Sequence, residues 1–385
     1  MKPTRTDPIS PGATPSATPL RGVQLQYRFV DERTVPQSGD AIDNPLFNLL
    51  SAVAEAGSIQ GAARALDMSY RHLWGRLKQW EADTGQALVV WQRGQPARLT
   101  PFAERLLWAE RRARVRLAPH IEALRHELQR VLDEASDVTR EVLRIDASHD
   151  LVLPALQAQA QALGLQIDLR FAGSLDALRS LAEGRCIVAG FHVPPLDRAE
   201  LYARQLKALL KPGLHKLIGA MRRTQGLMVP PGNPRRLRSL ADVAAQQLRF
   251  VAREAGSGTR LLAEHLATQQ GLTLQALRET VTENSHIAAA TAVASGQADA
   301  ALGIEAAARR CSLAFVPLIE EDYFLVCLAD ALERPAVKLL RRALAEPAWI
   351  QALDDTAGYA AAADPGEVLS LTRALPWWTF RSRRP

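Results

Sequence analysis

Between Gly57 and Glu81 the apolar positions repeat at helical spacing twice, with almost nothing between the two runs. Ile59, Ala62, Ala63 and Leu66 form the first apolar face, and Ser58 stands before it as an N-cap. Leu73, Trp74, Leu77 and Trp80 form the second at three- and four-residue steps, behind another capping serine, Ser69. The opposite face carries Arg71, His72, Arg76, Lys78 and Gln79. Asp67 and Met68 are too short a connection for antiparallel helices, so the pair is expected to cross steeply as a helix-turn-helix, whose second helix is shaped for the major groove. Two core helices with a solvated basic face would give the same pattern, and this stretch alone leaves both readings open.

The next stretch favours the first reading. Leu88–Trp91 and Arg98–Thr100 are short strand patterns around Gln92, Arg93, Gly94, Gln95 and Pro96, a basic hairpin placed where a wing would reach the sugar–phosphate backbone. Upstream, Asn44 can cap a helix to Ala56 whose Leu46, Leu49, Leu50 and Val53 would complete a small core, and Val23–Val30 reads as a short strand. The residues expected at the duplex are Ser58, Gln60, Ser69, Tyr70, Arg71, His72, Arg76 and Arg93. From Arg64 to Arg130 there are 13 basic and 7 acidic side chains, an excess equal to the whole chain's net charge of +6. The basic excess is therefore local, as a duplex binder requires.

A long helix is expected from Thr100 to about Ala135, kinked or split at Pro119. Leu117, Ile121, Leu124, Leu128 and Val131 repeat at four, three, four and three residues, a two-heptad seam for a homodimer or a dimer of dimers; packing within the same chain is the alternative. After Asp137 strands and helices alternate. Strands are read at Val142–Ala147, Leu165–Phe171 and Cys186–Phe191, with helices at Asp150–Leu163 and Leu175–Leu181. A second set places strands at Gly226–Val229, Leu248–Val251 and Ala298–Leu302, and helices at Ser257–Gln270 and His286–Ser295. Leu313–Leu318 and Tyr323–Leu328 look like strands returning to the first set. The fold class is thus α/β behind a helix-rich head, with two lobes each built by right-handed crossovers. The division is a tail over 1–22, a winged head over 23–100, a linker helix over 101–137 and a two-lobed domain over 138–385. Lobe I takes about 138–225 and 316–385, and lobe II about 226–315.

The run GSIQGAARALDMSYRHLW resembles the DNA-binding head of molybdate-responsive ModE-type regulators, and ALVVWQRGQPARLTPFAERLL resembles the wing and following helix of LysR-type regulators. The runs LRIDASHD, GLMVPPGNP, FVAREAGSGTR, ASGQADAALGI and FVPLIEEDYFLV resemble the type II periplasmic-binding-protein-like domain found fused to ModE-like heads. These likenesses imply a one-component transcriptional regulator that binds an inverted-repeat operator as a dimer and senses molybdate or tungstate, or alternatively a larger ligand such as a molybdenum-pterin cofactor. The C-terminal domains of ordinary ModE regulators have no counterpart here, so their molybdate site does not carry over.

Four polar segments fall where strands end and helices begin: 148–150, 173–174, 256–259 and 284–286. Helix N-termini there offer unpaired N–H groups and the positive end of the helix dipole, which suits a small oxyanion. Ser148, His149, Ser174, Ser257, Gly258, Thr259, Ser285 and Tyr323 are the expected ligand contacts, with plain N-capping the competing role of each serine; His286, Arg253 and Arg260 stand nearby. Ser148, His149 and Asp150 include the residue types of a hydrolytic triad, but adjacency is not triad geometry and no G-x-S-x-G elbow exists, so no enzyme is expected. Cys186, Cys311 and Cys327 are too few and too scattered for a disulfide framework or a zinc site. With no apolar run of spanning length and no secretory signal behind Lys2 and Arg5, a cytoplasmic protein is expected.

Overall fold

The computed structural model describes residues 44–90, 96–136, 142–148, 150–194 and 200–378. The expected strand at Val23–Val30, the hairpin tip with Arg93, and His149 lie outside the described residues. The chain forms two compact units that divide at Arg111 and Arg112.

In the first unit α1 (Pro45–Ala56), α2 (Ile59–Ala65) and α3 (Tyr70–Thr84) enclose Leu46, Leu50, Val53, Ile59, Ala62, Leu73 and Leu77. Strands β1 (Val89–Val90) and β2 (Arg98–Leu99) pair antiparallel, and α4 (Pro101–Ser136) follows. Helix α4 runs through Pro119 as one element. A proline removes one backbone donor and crowds the preceding turn, and the remaining ladder here is long enough to continue past it.

The second unit is built on one sheet in the order β4-β3-β5-β10-β6-β9-β7-β8. Strands β3 (Val142–Ser148), β4 (Gln166–Ala172) and β5 (Val188–Val193) pair parallel, joined by α5 (Leu153–Ala162) and α6 (Ser174–Ala182). Helix α7 (Glu200–Leu209) leads to β6 (His215–Val229), and α8 (Leu240–Ala245) leads to β7 (Arg249–Arg253). A second parallel set joins β7 to β8 (Arg278–Glu283) and β9 (Ala300–Ile304), with α9 (Gly258–Gln269) and α10 (His286–Ala294) as crossovers. Helix α11 (Glu305–Arg310) then gives way to β10 (Ala314–Leu328). Beyond it lie α12 (Pro335–Ala345), α13 (Pro347–Asp354), β11 (Tyr359–Ala361), β12 (Val368–Ser370) and α14 (Leu371–Ala374).

Strands β6 and β10 pair along nearly their whole length and belong to both lobes. One end of β10 pairs with β5 in lobe I, while the other end of β6 pairs with β9 in lobe II. The register slips between Pro317 and Ile319 and between Tyr323 and Phe324, marking where the ribbon bends from lobe to lobe. The sequence pattern divided β10 into two strands and found only the last four residues of β6. Both are single 15-residue strands, and the polar residues that interrupt their patterns turn inward: Arg223 is 3% exposed and Glu321 1%.

Candidate DNA interface and effector cleft

The turn between α2 and α3 is a Schellman ending. Asp67 takes φ 51°, its N–H donates to Arg64 O, and Met68 N–H donates to Ala63 O at 2.8 Å. Asp tolerates this left-handed conformation better than most side chains do. Ser69 then caps α3 by accepting from His72 N–H at 3.2 Å, and Ser58 caps α2 by accepting from Gly61 N–H. Leu73 and Leu77 are fully buried, whereas Ser69, Tyr70, Arg71, His72 and Arg76 are exposed on the other side of α3. Tyr70 stacks on Trp74 and Arg76 lies over the Trp80 ring, so the aromatic rings hold the exposed face in order. Arg71 makes no salt bridge among the described residues. Gln60 and Ser58 are exposed at the start of α2. Glu81 ties α3 to the wing, since its Oε1 accepts from Leu88 N–H at 2.9 Å. Burial works against that carboxylate's charge, but bonding to Lys78 and the two strand amides wins and lowers its pKa.

Of the four expected polar segments in the second unit, two, 173–174 and 256–259, come together. A Cβ on Gly173 would stand 2.9 Å from Gly256 O, and one on Gly258 3.0 Å from Ser174 Oγ. The N-termini of α6 and α9 therefore approach closely. Gly173 gives α6 no side-chain cap, and Ser257 caps α9 through Arg260 N–H. Beside this contact lies a cavity of about 260 Å³, bordered by Ser174, Ser257 and Gly258 among the expected residues. His192, Tyr202 and Gln205 also border it, and Leu175, Phe191, Leu206 and Leu261 supply apolar wall. Ser148, Thr259, Ser285 and Tyr323 do not line it.

Ser148 is occupied elsewhere. Its Oγ lies 2.9 Å from His192 Nδ1, and His192 Nε2 lies 3.4 Å from Asp150 Oδ2. Burial alone would raise the Asp150 carboxyl, yet bonding to His192 and the charge of Arg223 hold it at about 2. His192 is kept neutral, its pKa lowered by burial and by Arg223. An ionised Asp150 draws the imidazole proton to Nε2, so Nδ1 accepts from Ser148 and uses that hydroxyl's proton. Serine, histidine and aspartate thus stand in a row, but Asp150 already accepts from Arg223 at 2.6 Å and from Tyr359 at 3.1 Å. Arg223 also donates to Glu321 at 2.7 Å, as does Gln225 at 2.8 Å. The row is one arm of a buried network joining lobe I to the ribbon. Ser285 caps α10 by accepting from Ala288 N–H. Thr259 is buried at the start of α9. Tyr323 is fully buried, its ring 4.3 Å from that of His192, and its hydroxyl fills the space that a side chain at Gly190 would need.

Arg253, 8% exposed at the end of β7, donates to two main-chain carbonyls, Glu283 O at 3.0 Å and Asn284 O at 3.1 Å, and contacts His286 Nδ1. None of these bonds is to a carboxylate, and burial together with Arg223 lowers its pKa to about 10. The Glu283 carboxylate is instead held by Arg116 Nε at 2.9 Å. Burial pushes the thiols of Cys186 and Cys327 up to about 11, which leaves both unreactive at neutral pH. Among the described residues there is no group of His, Cys, Asp or Glu able to hold a metal ion, and no helix is long and apolar enough to cross a membrane.

Comparison with known proteins finds a separate match within each unit. Residues 46–104 match the bacterial regulatory helix-turn-helix protein family of the lysR type, and residues 155–345 match the PBP superfamily domain. One part of the chain is thus similar to a LysR-type helix-turn-helix and another to a PBP superfamily domain. A curated relative, the uncharacterized protein YvgK of Bacillus subtilis (strain 168), is 32% identical over 186 residues, which cover 48% of this chain and 59% of the relative. Among solved structures, full-length BenM is 16% identical with a TM-score of 0.42, covering 82% of this chain and 99% of that one. The probable transcriptional regulator PA0477 from Pseudomonas aeruginosa is 18% identical with a TM-score of 0.41, covering 79% and 97%. The LysR-type match accounts for the head and wing; neither match carries the ModE-type likeness or points to molybdate.

Proposed function

We propose that this LysR-type regulator binds an inverted-repeat operator in the cytoplasm as a homodimer and changes its DNA affinity when a small anion occupies the interlobe cleft. The observation that carries the DNA reading is the exposed face of α3, where Arg71 stands without a salt bridge among the described residues on a helix fixed by two caps and a Schellman turn. Dimerisation through α4 is supported by Leu124, 44% exposed on an otherwise regular helical seam. In an operator titration the whole chain should lose affinity steeply with salt, by about 0.9 log unit per log unit for each phosphate neutralised. Leu124→Glu should elute as a monomer in sizing chromatography and bind the operator much more weakly. A dimer of undiminished strength would place the interface elsewhere, and salt-insensitive binding would sink the duplex reading.

For the effector, molybdate or tungstate is supported by the converging N-termini of α6 and α9. The size of the cavity favours a second reading. At about 260 Å³ it has room for more than a tetrahedral oxyanion.

A further inference from the structure

We infer that the effector site extends onto α7, and that its ligand is a small organic monoanion carrying a hydrogen-bonding group at the end remote from its charge. This rests on the reading of the cleft as an anion site and narrows it. The cavity's 260 Å³ is many times the roughly 10–15 Å³ of such space that one water needs. A tetraoxoanion has five heavy atoms and leaves much of it unfilled.

The walls specify the rest. At one end Ser174 Oγ is buried without a partner among the described residues, beside the first turn of α9. The amides of Gly258 and Thr259 open that helix, and such amides have no carbonyl of their own helix to bond. This end takes the anion. On α7, Tyr202 OH and Gln205 Oε1 are likewise buried without a partner among the described residues, and Tyr202 is 2% exposed. Two uncompensated polar groups on one helix are costly unless something bonds them. A bare oxyanion held at the N-termini satisfies neither Tyr202 nor Gln205, whereas a longer molecule with a terminal hydroxyl or amine satisfies both.

Charge points the same way. Arg260 on the wall is already paired with Glu279 at 2.6 Å. Glu264 borders the cavity on α9, six residues beyond Gly258 and so roughly 9 Å along the helix. A carboxylate there disfavours a second anionic group and welcomes a donor.

The test is titration calorimetry on the whole chain, freed of co-purified ligand, with hexanoate, 6-hydroxyhexanoate, 6-aminohexanoate, molybdate and tungstate. The monoanion 6-hydroxyhexanoate should bind roughly 2- to 12-fold more tightly than hexanoate, the return on one neutral hydrogen bond, and zwitterionic 6-aminohexanoate, whose ammonium makes a charge-assisted bond, at least as tightly as the hydroxy acid. Tyr202→Phe and Gln205→Leu should each shrink that advantage while thermal unfolding shows an intact fold. If molybdate or tungstate binds alone, or the carboxylates bind with no response to either variant, the extension onto α7 is overturned and the anion cleft stands. If none of the five binds, both fall together.

Discussion

The head and the cleft use charge in opposite ways. On α3 Arg71 and Arg76 stand on the solvent side, Arg71 exposed and without a salt bridge among the described residues, and Arg76 resting on an indole. Between the lobes Asp150, Arg223 and Glu321 are each at least 97% buried and bonded to one another. Charge in the head is available to a partner, whereas charge in the cleft network is spent on the fold. Substitutions should therefore separate the two regions cleanly, the network failing as stability and the helix face failing as recognition.

The largest expected effect is Arg223→Met, which leaves the carboxylates of Asp150 and Glu321 buried without their cation. Breaking a buried pair from one side costs about 3–5 kcal/mol, readable as a lower urea midpoint for the second unit. An unchanged midpoint would mean that the network is ornamental. Acid should come next. The Asp150 pKa is depressed when folded, so its contribution is fully present above the unfolded value near 4 and is lost as pH falls through about 2. For a shift of that size the loss amounts to about 2–3 kcal/mol. Asp150→Asn should flatten this part of a stability–pH profile, and an equally steep profile in that variant would shift the effect to other carboxyls. The smallest change is Arg71→Ala, expected to leave unfolding untouched and to cost about 1–3 kcal/mol in operator affinity if Arg71 reads a base. An affinity loss equal on all sequences would make Arg71 a phosphate contact instead.

The same contrast explains what could be read beforehand. In the head, capping serines, apolar stripes and exposed cations obey local rules, and α1 to α3 appear in the chain nearly where the spacing puts them. In β6 and β10 the rule fails because Arg222, Arg223 and Gln225, and Glu320, Glu321 and Asp322, interrupt the apolar pattern as a surface turn would. Only a partner about a hundred residues away makes Arg223, Gln225 and Glu321 interior, and spacing along one strand contains no sign of it. His192 hides in the same way within an apolar strand. Of the expected ligand residues, Ser174, Ser257 and Gly258 border the cavity, while Ser148 is drawn off by His192, a contact between strands that no local pattern signals. Tyr202 and Gln205 went unread because α7 itself was not recognised.

The shared ribbon also dictates an order of events at the ribosome. Strand β5 ends at Val193, but the stretch that pairs with it antiparallel is Asp322–Cys327 of β10. At about 5–20 residues per second, some 134 residues of further synthesis leave that side of β5 unpaired for roughly 7–27 s. All of lobe II is made during the wait. The nascent chain thus carries an apolar strand edge, Val188 to Val193, for as long as a second lobe takes to emerge, and exposed edges of this kind are where chains pair with the wrong neighbour. Slow translation across residues 226–313 should accordingly lower the yield of folded protein, even though it alters no residue of the finished molecule.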